Sequence, residues 1–324
     1  MFARLGRRLL AGLAVVLGVV VMTFLLLHAA PGDPVDLLLG PTGTVEQRSA
    51  QREALGLDRP LASQFATWLG RFARGDWGTS IAQGRPVARV LGAAWPATVR
   101  LVGLSLLLSY LLGIALGALQ AARSGSRTDT ALSITSVTLF AMPGYWLGLM
   151  LVLVFTYWAR WLPAFGAAGF DADYLSGAGW LLDRARHLVL PLATLTLIGI
   201  GGAARFVRGT MIETLSQPFI TTARAKGLTS RQVVMHHALR NALTPVVTLL
   251  GMSLPALFSG AVFVEAVFAW PGVGRILVEA VQARDYPVVM AATTVSALLV
   301  VSGNILAEVL AAWLDPRVRT SGAA

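Results

Sequence analysis

Apolar residues gather in six runs along this chain, at about 9–30, 98–120, 133–158, 188–204, 244–268 and 287–312. Each is long enough to be a helix crossing a bilayer, which takes roughly 17–25 residues. Six such runs predict six spans, with both ends of the chain on the same side. Between the first two lies a mostly polar stretch, 31–97, punctuated by the turn signals GDP at Gly32 to Pro34 and LDRP at Leu57 to Pro60. Within it Leu61, Phe65, Trp68, Leu69 and Phe72 recur at helical spacing. That predicts an amphipathic helix from Leu61 to Ala73, lying on a membrane surface or packing on the bundle.

The pattern predicts an all-α polytopic membrane protein in four parts. Residues 1–30 hold the N-terminus and first span, and 31–97 form a large insertion. Residues 98–315 form a five-helix core, followed by a tail at 316–324. Arg4, Arg7 and Arg8 precede the first run as they would in a secretory signal. The run is longer than the roughly 7–15 apolar residues of such a signal, so it is read as a retained span. Two runs are interrupted, the third by Pro143-Gly144 and the fifth by Pro255. A break of this kind frees backbone carbonyls that need partners in protein or in a wet cavity. Each is either a tolerated kink or a bend lining a pathway.

The longest polar interruption of the C-terminal half is Ser216 to Thr244. Pro218 suits the first position of a helix, where no amide hydrogen is needed. Gly227 suits the left-handed residue that ends one. Ser230 is a candidate cap for a second helix running toward Asn241. Phe219 and Ala223 stand at i, i+4 on the first helix, and the small residues Ala223, Ala225 and Gly227 would admit another surface close to the backbone. Arg224 and Lys226, the only lysine in the chain, add positive charge. On these grounds alone the stretch is either a solvated loop with an interfacial helix or a docking element.

Composition strengthens the membrane reading. The chain is 56% apolar and 13% charged, against about 25% charged in soluble domains. A formal charge of +10 raises the question of nucleic acid, but the basic residues distribute by loop. With the N-terminus in the cytoplasm, thirteen of the 26 fall in cytoplasmic pieces and five in the two short outer loops. Of the other eight, seven lie in the long insertion, which counts little toward orientation, and Arg100 lies at the start of the second run. The charge is therefore a topology signal, and no basic run interleaved with aromatics tracks a phosphate backbone. The absence of cysteine rules out disulfides and thiolate metal sites.

Catalytic chemistry is scarce. A P-loop ends in Gly-Lys-Ser or Gly-Lys-Thr, whereas the lone Lys226 is followed by Gly227, so the chain has no P-loop and ATP hydrolysis driving transport would occur on another subunit. His236 and His237 are adjacent and would point about 100° apart on a helix, which does not suit a zinc pair at i, i+4. They are assigned to the polar surface of the 216–244 stretch. No histidine lies centrally in a later span to serve an intramembrane serine nucleophile. Glu308 sits near the inner end of the sixth run and Glu265 near the outer end of the fifth, before a turn-rich segment with Pro271, Gly272 and Gly274. Intramembrane acids usually face the bundle interior. Glu265, Ser259, Asn304, Pro143 and Gly144 are the candidate pathway or gate residues, the polar ones being equally suited to join helices.

TTARAKGL (Thr221 to Leu228), followed by HALRNALTPVV, resembles the coupling loop of ABC-importer permease subunits, and more narrowly the dipeptide/oligopeptide/nickel permease family. The general signature there is Glu-Ala-Ala, three residues, then Gly. Gly227 matches the glycine, and Thr221, Thr222 and Ala223 fall on the first three positions, so only Ala223 is retained and the carboxylate is missing. Similarity extends to DWGTS (Asp76 to Ser80), to Gly260 to Val289, and to LDPRVR (Leu314 to Arg319).

The resemblance implies an inner-membrane importer subunit with the insertion outside the cytoplasm and a coupling helix between the fourth and fifth spans. Phe219, Thr221, Thr222, Ala223, Arg224, Ala225, Lys226 and Gly227 would carry the coupling. It further implies a homologous second permease, two cytoplasmic ATPase subunits and an extracytoplasmic solute-binding protein. ATP and magnesium would be bound on the partners, with no cofactor on this chain. Substrates in the family are dipeptides, oligopeptides, nickel chelates, glutathione and some sugars, and peptides are favoured here. A self-contained secondary transporter is the competing reading. It calls for central acids and an internal repeat, and 216–244 has no counterpart elsewhere in the chain. A scaffold without transport would share the topology.

Overall fold

The computed structural model describes residues 2–40, 43–253 and 261–314. Its helices are α1 (Phe2–Ala29), α2 (Pro34–Leu39), α3 (Val45–Leu55), α4 (Leu61–Ala73), α5 (Val87–Ala122), α6 (Arg127–Ala141) and α7 (Gly144–Leu151). They continue with α8 (Gly177–Leu215), α9 (Pro218–Ala225), α10 (Ser230–Gln232), α11 (Leu239–Ser253), α12 (Val262–Val267), α13 (Val273–Gln282) and α14 (Tyr286–Leu314). Among the described residues the strand-like contact is a single antiparallel bridge, Thr79 to Pro86.

Helices α1, α5, α8 and α14 are long and apolar enough to cross a membrane. The third predicted run is two helices, α6 and then α7 continued by a π-helical turn over Val152–Trp158, bent by 105° at the break. Counting that pair as one broken span gives five among the described residues. The fifth predicted run begins as α11, and residues 254–260, with Pro255 and Ser259, lie outside the described residues. Among the described residues the architecture is thus all-helical with four or five candidate spans, and the run predicted at 244–268 is not among them.

Helix ends differ from the predicted runs where packing continues beyond the apolar stretch. α5 starts eleven residues before the predicted 98, because Val87, Leu91 and Ala94 share one helical face and are buried there. α8 extends from Gly177 to Leu215, well beyond the predicted 188–204. The predicted amphipathic helix has the expected bounds, Leu61–Ala73.

The chain divides into two compact units. One comprises α1 to α4, the start of α5, α13 and most of α14. Phe65 and Trp68 of α4 pack against Val16, Val20, Phe24 and Met290, so this helix lies on its own bundle. Phe72 and Trp77 cover a second cluster built on Val87, Leu91, Val288 and Val289. Here the DWGTS stretch forms a pinned turn. Asp76 accepts from Gly78 N (3.0 Å) and pairs with Arg71 (2.7 Å). The Arg71 hydrogen bond, with the Gly78 N–H, holds the Asp76 carboxyl below the usual carboxylate range. Buried Ser80 donates to the buried carboxylate of Asp285, which also accepts from Ala82 N (3.1 Å) and Val288 N (3.4 Å) at the start of α14.

The other unit comprises the rest of α5, α6 to α12 and the end of α14. Its helices approach at glycine. A Cβ on Gly201 of α8 would lie 2.4 Å from the Ser136 carbonyl oxygen of α6, and one on Gly117 of α5 would lie 2.6 Å from the Ala204 carbonyl oxygen. Such backbone approach is what small residues permit between membrane helices.

Candidate functional site

The site is α9 and its two ends, all within the second unit. Pro218 stands at the first helical position, as predicted. Two residues, Ser216 and Gln217, join α9 to α8, and both are tied back: Ser216 N reaches the Ile212 and Glu213 carbonyls, and Gln217 N the Thr214 carbonyl. The helix ends in a Schellman motif. Gly227 N donates to Arg224 O (2.9 Å) and Leu228 N to Ala223 O (3.4 Å), with Gly227 at φ +83°. This is the left-handed glycine that the sequence called for.

The following cap differs from expectation. Thr229, not Ser230, caps the next helix, accepting from Gln232 N (3.3 Å) while the Gln232 side chain accepts from Thr229 N (2.9 Å). A capping box needs Gln or Glu three residues after the cap, and Gln232 supplies it for Thr229, whereas Val233 would follow Ser230. The second helix runs toward Asn241 as expected and continues beyond it. It passes through α10, a π-helical turn over Val233–Ala238 and α11 as far as Ser253. Val233 and Ala238 stand five apart, and the π turn lets both reach the core face that Ala242 and Val246 continue. His236 and His237 lie within this turn.

α9 has two faces. Ile220 (1% exposed) and Ala223 (6%) join an internal cluster with Val207 and Met211 of α8, Ala118 and Ala121 of α5, and Val233, Ala238, Ala242 and Val246. Burial of Ile220 contributes about 1.5–3 kcal/mol to that seat. Phe219 (43% exposed), Thr221, Thr222, Arg224, Ala225, Lys226 and Gly227 form the exposed face. The sequence pairing of Phe219 with Ala223 on one contact face is therefore corrected. Ala223 is small because the chain's own core takes it at i, i+3 from Ile220, and it is withdrawn from any surface offered to a partner.

Of the other candidates, Pro143 caps the start of α7 and Gly144 opens it at the 105° bend. A Cβ on Gly144 would meet Ile198 at 3.3 Å and Val264 at 3.8 Å, and one on Gly148 would meet Phe268 at 3.0 Å. The bend thus adjoins α12, which carries Glu265, fully buried at 0% exposure. α12 ends on a second Schellman motif, with Trp270 N donating to Glu265 O (2.8 Å) and Ala269 N to Ala266 O (3.2 Å). Ala269 occupies the left-handed position at φ +48°, one usually left to glycine. Gly144 is therefore close to Val264, the residue before Glu265 on α12. Asn304 is exposed on α14, Ser259 lies outside the described residues, and the Glu308 side chain is likewise not described.

Sequence reading missed two buried polar nodes, Ser80 with Asp285 and Asp129 with Arg208. Asp129 sits in the first turn of α6, three residues after the capping Ser126, a spacing visible in the sequence. Its carboxylate accepts from Arg208 Nε (2.7 Å) and Nη2 (2.9 Å), from Gly125 N (3.0 Å) and from Ser133 Oγ (3.3 Å).

The pattern of a known protein family, the binding-protein-dependent transport system inner membrane component, matches residues 113–320. Its N-terminal companion, the membrane component N-terminal region, matches residues 1–103. This chain belongs to that family. The inner-membrane component it represents is 38% identical over 319 residues to the oligopeptide transport system permease protein AppB of Bacillus subtilis, covering 98% of this chain and 99% of that one. It is 40% identical to the probable D,D-dipeptide transport system permease protein DdpB of Escherichia coli, covering 95% of each. It is 36% identical to the glutathione transport system permease protein GsiC of Salmonella choleraesuis, covering 97% of each. As a family member, the chain is a membrane subunit of a larger transport system.

Proposed function

We propose that this permease forms half of the translocation path of an ATP-driven importer of di- or oligopeptides, and that α9 is the handle through which separate ATPase subunits move it. The observation that carries this reading is the two-faced α9. One face is polar, basic and open, and the other is sealed into a core shared by α5, α8 and the helix leading to α11. A push on the open face is thereby delivered to several long helices together. The chain has no P-loop, so the energy comes from elsewhere. In this reading α9 faces the cytoplasm, the 31–97 segment faces outward toward a solute-binding protein, and a second permease completes the path. Peptide cargo is favoured by the names of the relatives, several of which carry peptide or dipeptide transport in their description.

Reconstitution tests it. In proteoliposomes holding the permease with its co-expressed partner subunits, uptake of a labelled dipeptide should require ATP on the α9 side and binding protein on the other. Ion-gradient-driven uptake by the purified chain alone would replace this reading with that of a secondary transporter.

A further inference from the structure

The Asp129–Arg208 pair does more than neutralise two charges. Asp129 is 3% exposed, and every oxygen of its carboxylate is engaged, two contacts coming from one guanidinium in a fork arrangement. Such bidentate charge-assisted pairs fix orientation as well as distance. The pair joins the first turn of α6 to α8 at a point seven residues before α8 ends and ten before α9 begins. Farther along, Gly201 brings α8 into backbone contact with α6 at Ser136 and Phe140, and Gln120 of α5 donates to Ser136 Oγ at 3.1 Å. α6 is thus held to α8 at two levels, and its far end stops at the Met142–Pro143 bend, where α7 departs at 105°.

Resting on the functional reading above, we infer that Asp129 and Arg208 are positioning residues that make α6 and α8 a single lever. Displacement of α9 reaches the 143–144 bend, which adjoins the helix carrying the buried Glu265, through this lever. Without the pair, α8 still moves with α9, but α6 slips against it and the bend receives less of the motion. Docking and nucleotide hydrolysis then persist while transport per ATP falls. The Lys side chain shows why geometry matters here: it keeps the charge of Arg208 but offers a point donor in place of a fork.

The test uses the full permease with its co-purified partner subunits in proteoliposomes. Asp129→Asn and Arg208→Lys should retain partner co-purification and ATP hydrolysis, while peptide uptake per ATP falls on the order of ten-fold, within the usual range of coupling effects. Thr130→Ala, an exposed change on the same helix, should leave the ratio unaltered. The chain contains no cysteine, so Asp129→Cys with Arg208→Cys can be joined by a short thiol-reactive linker, whose attachment is read by the mass of this chain. Linking should restore uptake per ATP in the same preparation, and cleaving the linker should remove it again. Unchanged uptake per ATP in Asp129→Asn, or a formed link that restores nothing, overturns the lever. Should the unaltered complex lack ATP-driven uptake altogether, the functional reading fails instead.

Discussion

Gly227 is the residue on which the end of α9 turns. At φ +83° any side chain meets its own backbone, at a cost of roughly 1–2 kcal/mol. A Cβ there would otherwise stand in open space, so the effect of substitution is local. Gly227→Ala should loosen the two closing hydrogen bonds, read as faster amide exchange at Gly227 and Leu228, with membrane insertion unchanged. Gly227→Trp adds bulk on the exposed face and should abolish uptake while the chain still inserts. Gly201 makes the opposite case. Its φ is ordinary, but a methyl would strike the Ser136 carbonyl oxygen, and backbone cannot step aside as a flexible side chain can. Gly201→Ala should destabilise by about 1–3 kcal/mol, whereas Gly70→Ala on α4, with nothing within 4 Å, should be neutral or stabilising. Thermal unfolding in detergent, comparing the two, checks both. Ser80→Ala leaves the Asp285 carboxylate short of a donor in a buried place and should cost about 1–3 kcal/mol, visible as protease sensitivity within 76–86.

At the scale of elements, punctuation was legible and pairing was not. Pro218 and Gly227 each act on their own backbone, so their positions delimit α9 without knowledge of anything else. The predicted bounds of α4 held for the same kind of reason, since its apolar spacing is a property of thirteen consecutive residues. The cap slipped by one because Thr229 and Ser230 are both good cap types, and Gln232 decides between them. Ala223 was misplaced because the larger Ile220, three residues before it, is what the core claims. The Asp129–Arg208 and Ser80–Asp285 nodes join residues 79 and 205 positions apart, and nothing in either local stretch announces its partner. The bend at Pro143-Gly144 was visible as a break, but its 105° angle depends on the close packing of Gly144 and Gly148 against other helices. At this scale α9 should behave as a docking surface set by charge. Replacing Arg224 and Lys226 by Glu should weaken co-purification of the ATPase subunits, and more so at low salt, where exposed charges are less screened.

For the whole molecule, the proposal is a helical membrane subunit, without a P-loop in its sequence, that takes its energy through the open face of one short helix. Family membership across nearly the entire chain places it in a multi-component transport system, and the seating of α9 says how force would enter. The most direct measurement places the sole cysteine of the chain on that face, by Thr222→Cys in the assembled complex in native membranes. The account predicts labelling by an impermeant thiol reagent only from the cytoplasmic side, and cross-linking to a P-loop-bearing subunit that changes in yield when ATP is bound. Labelling from the opposite side, or the absence of any cross-link to a nucleotide-binding subunit in a complex that transports, would contradict it.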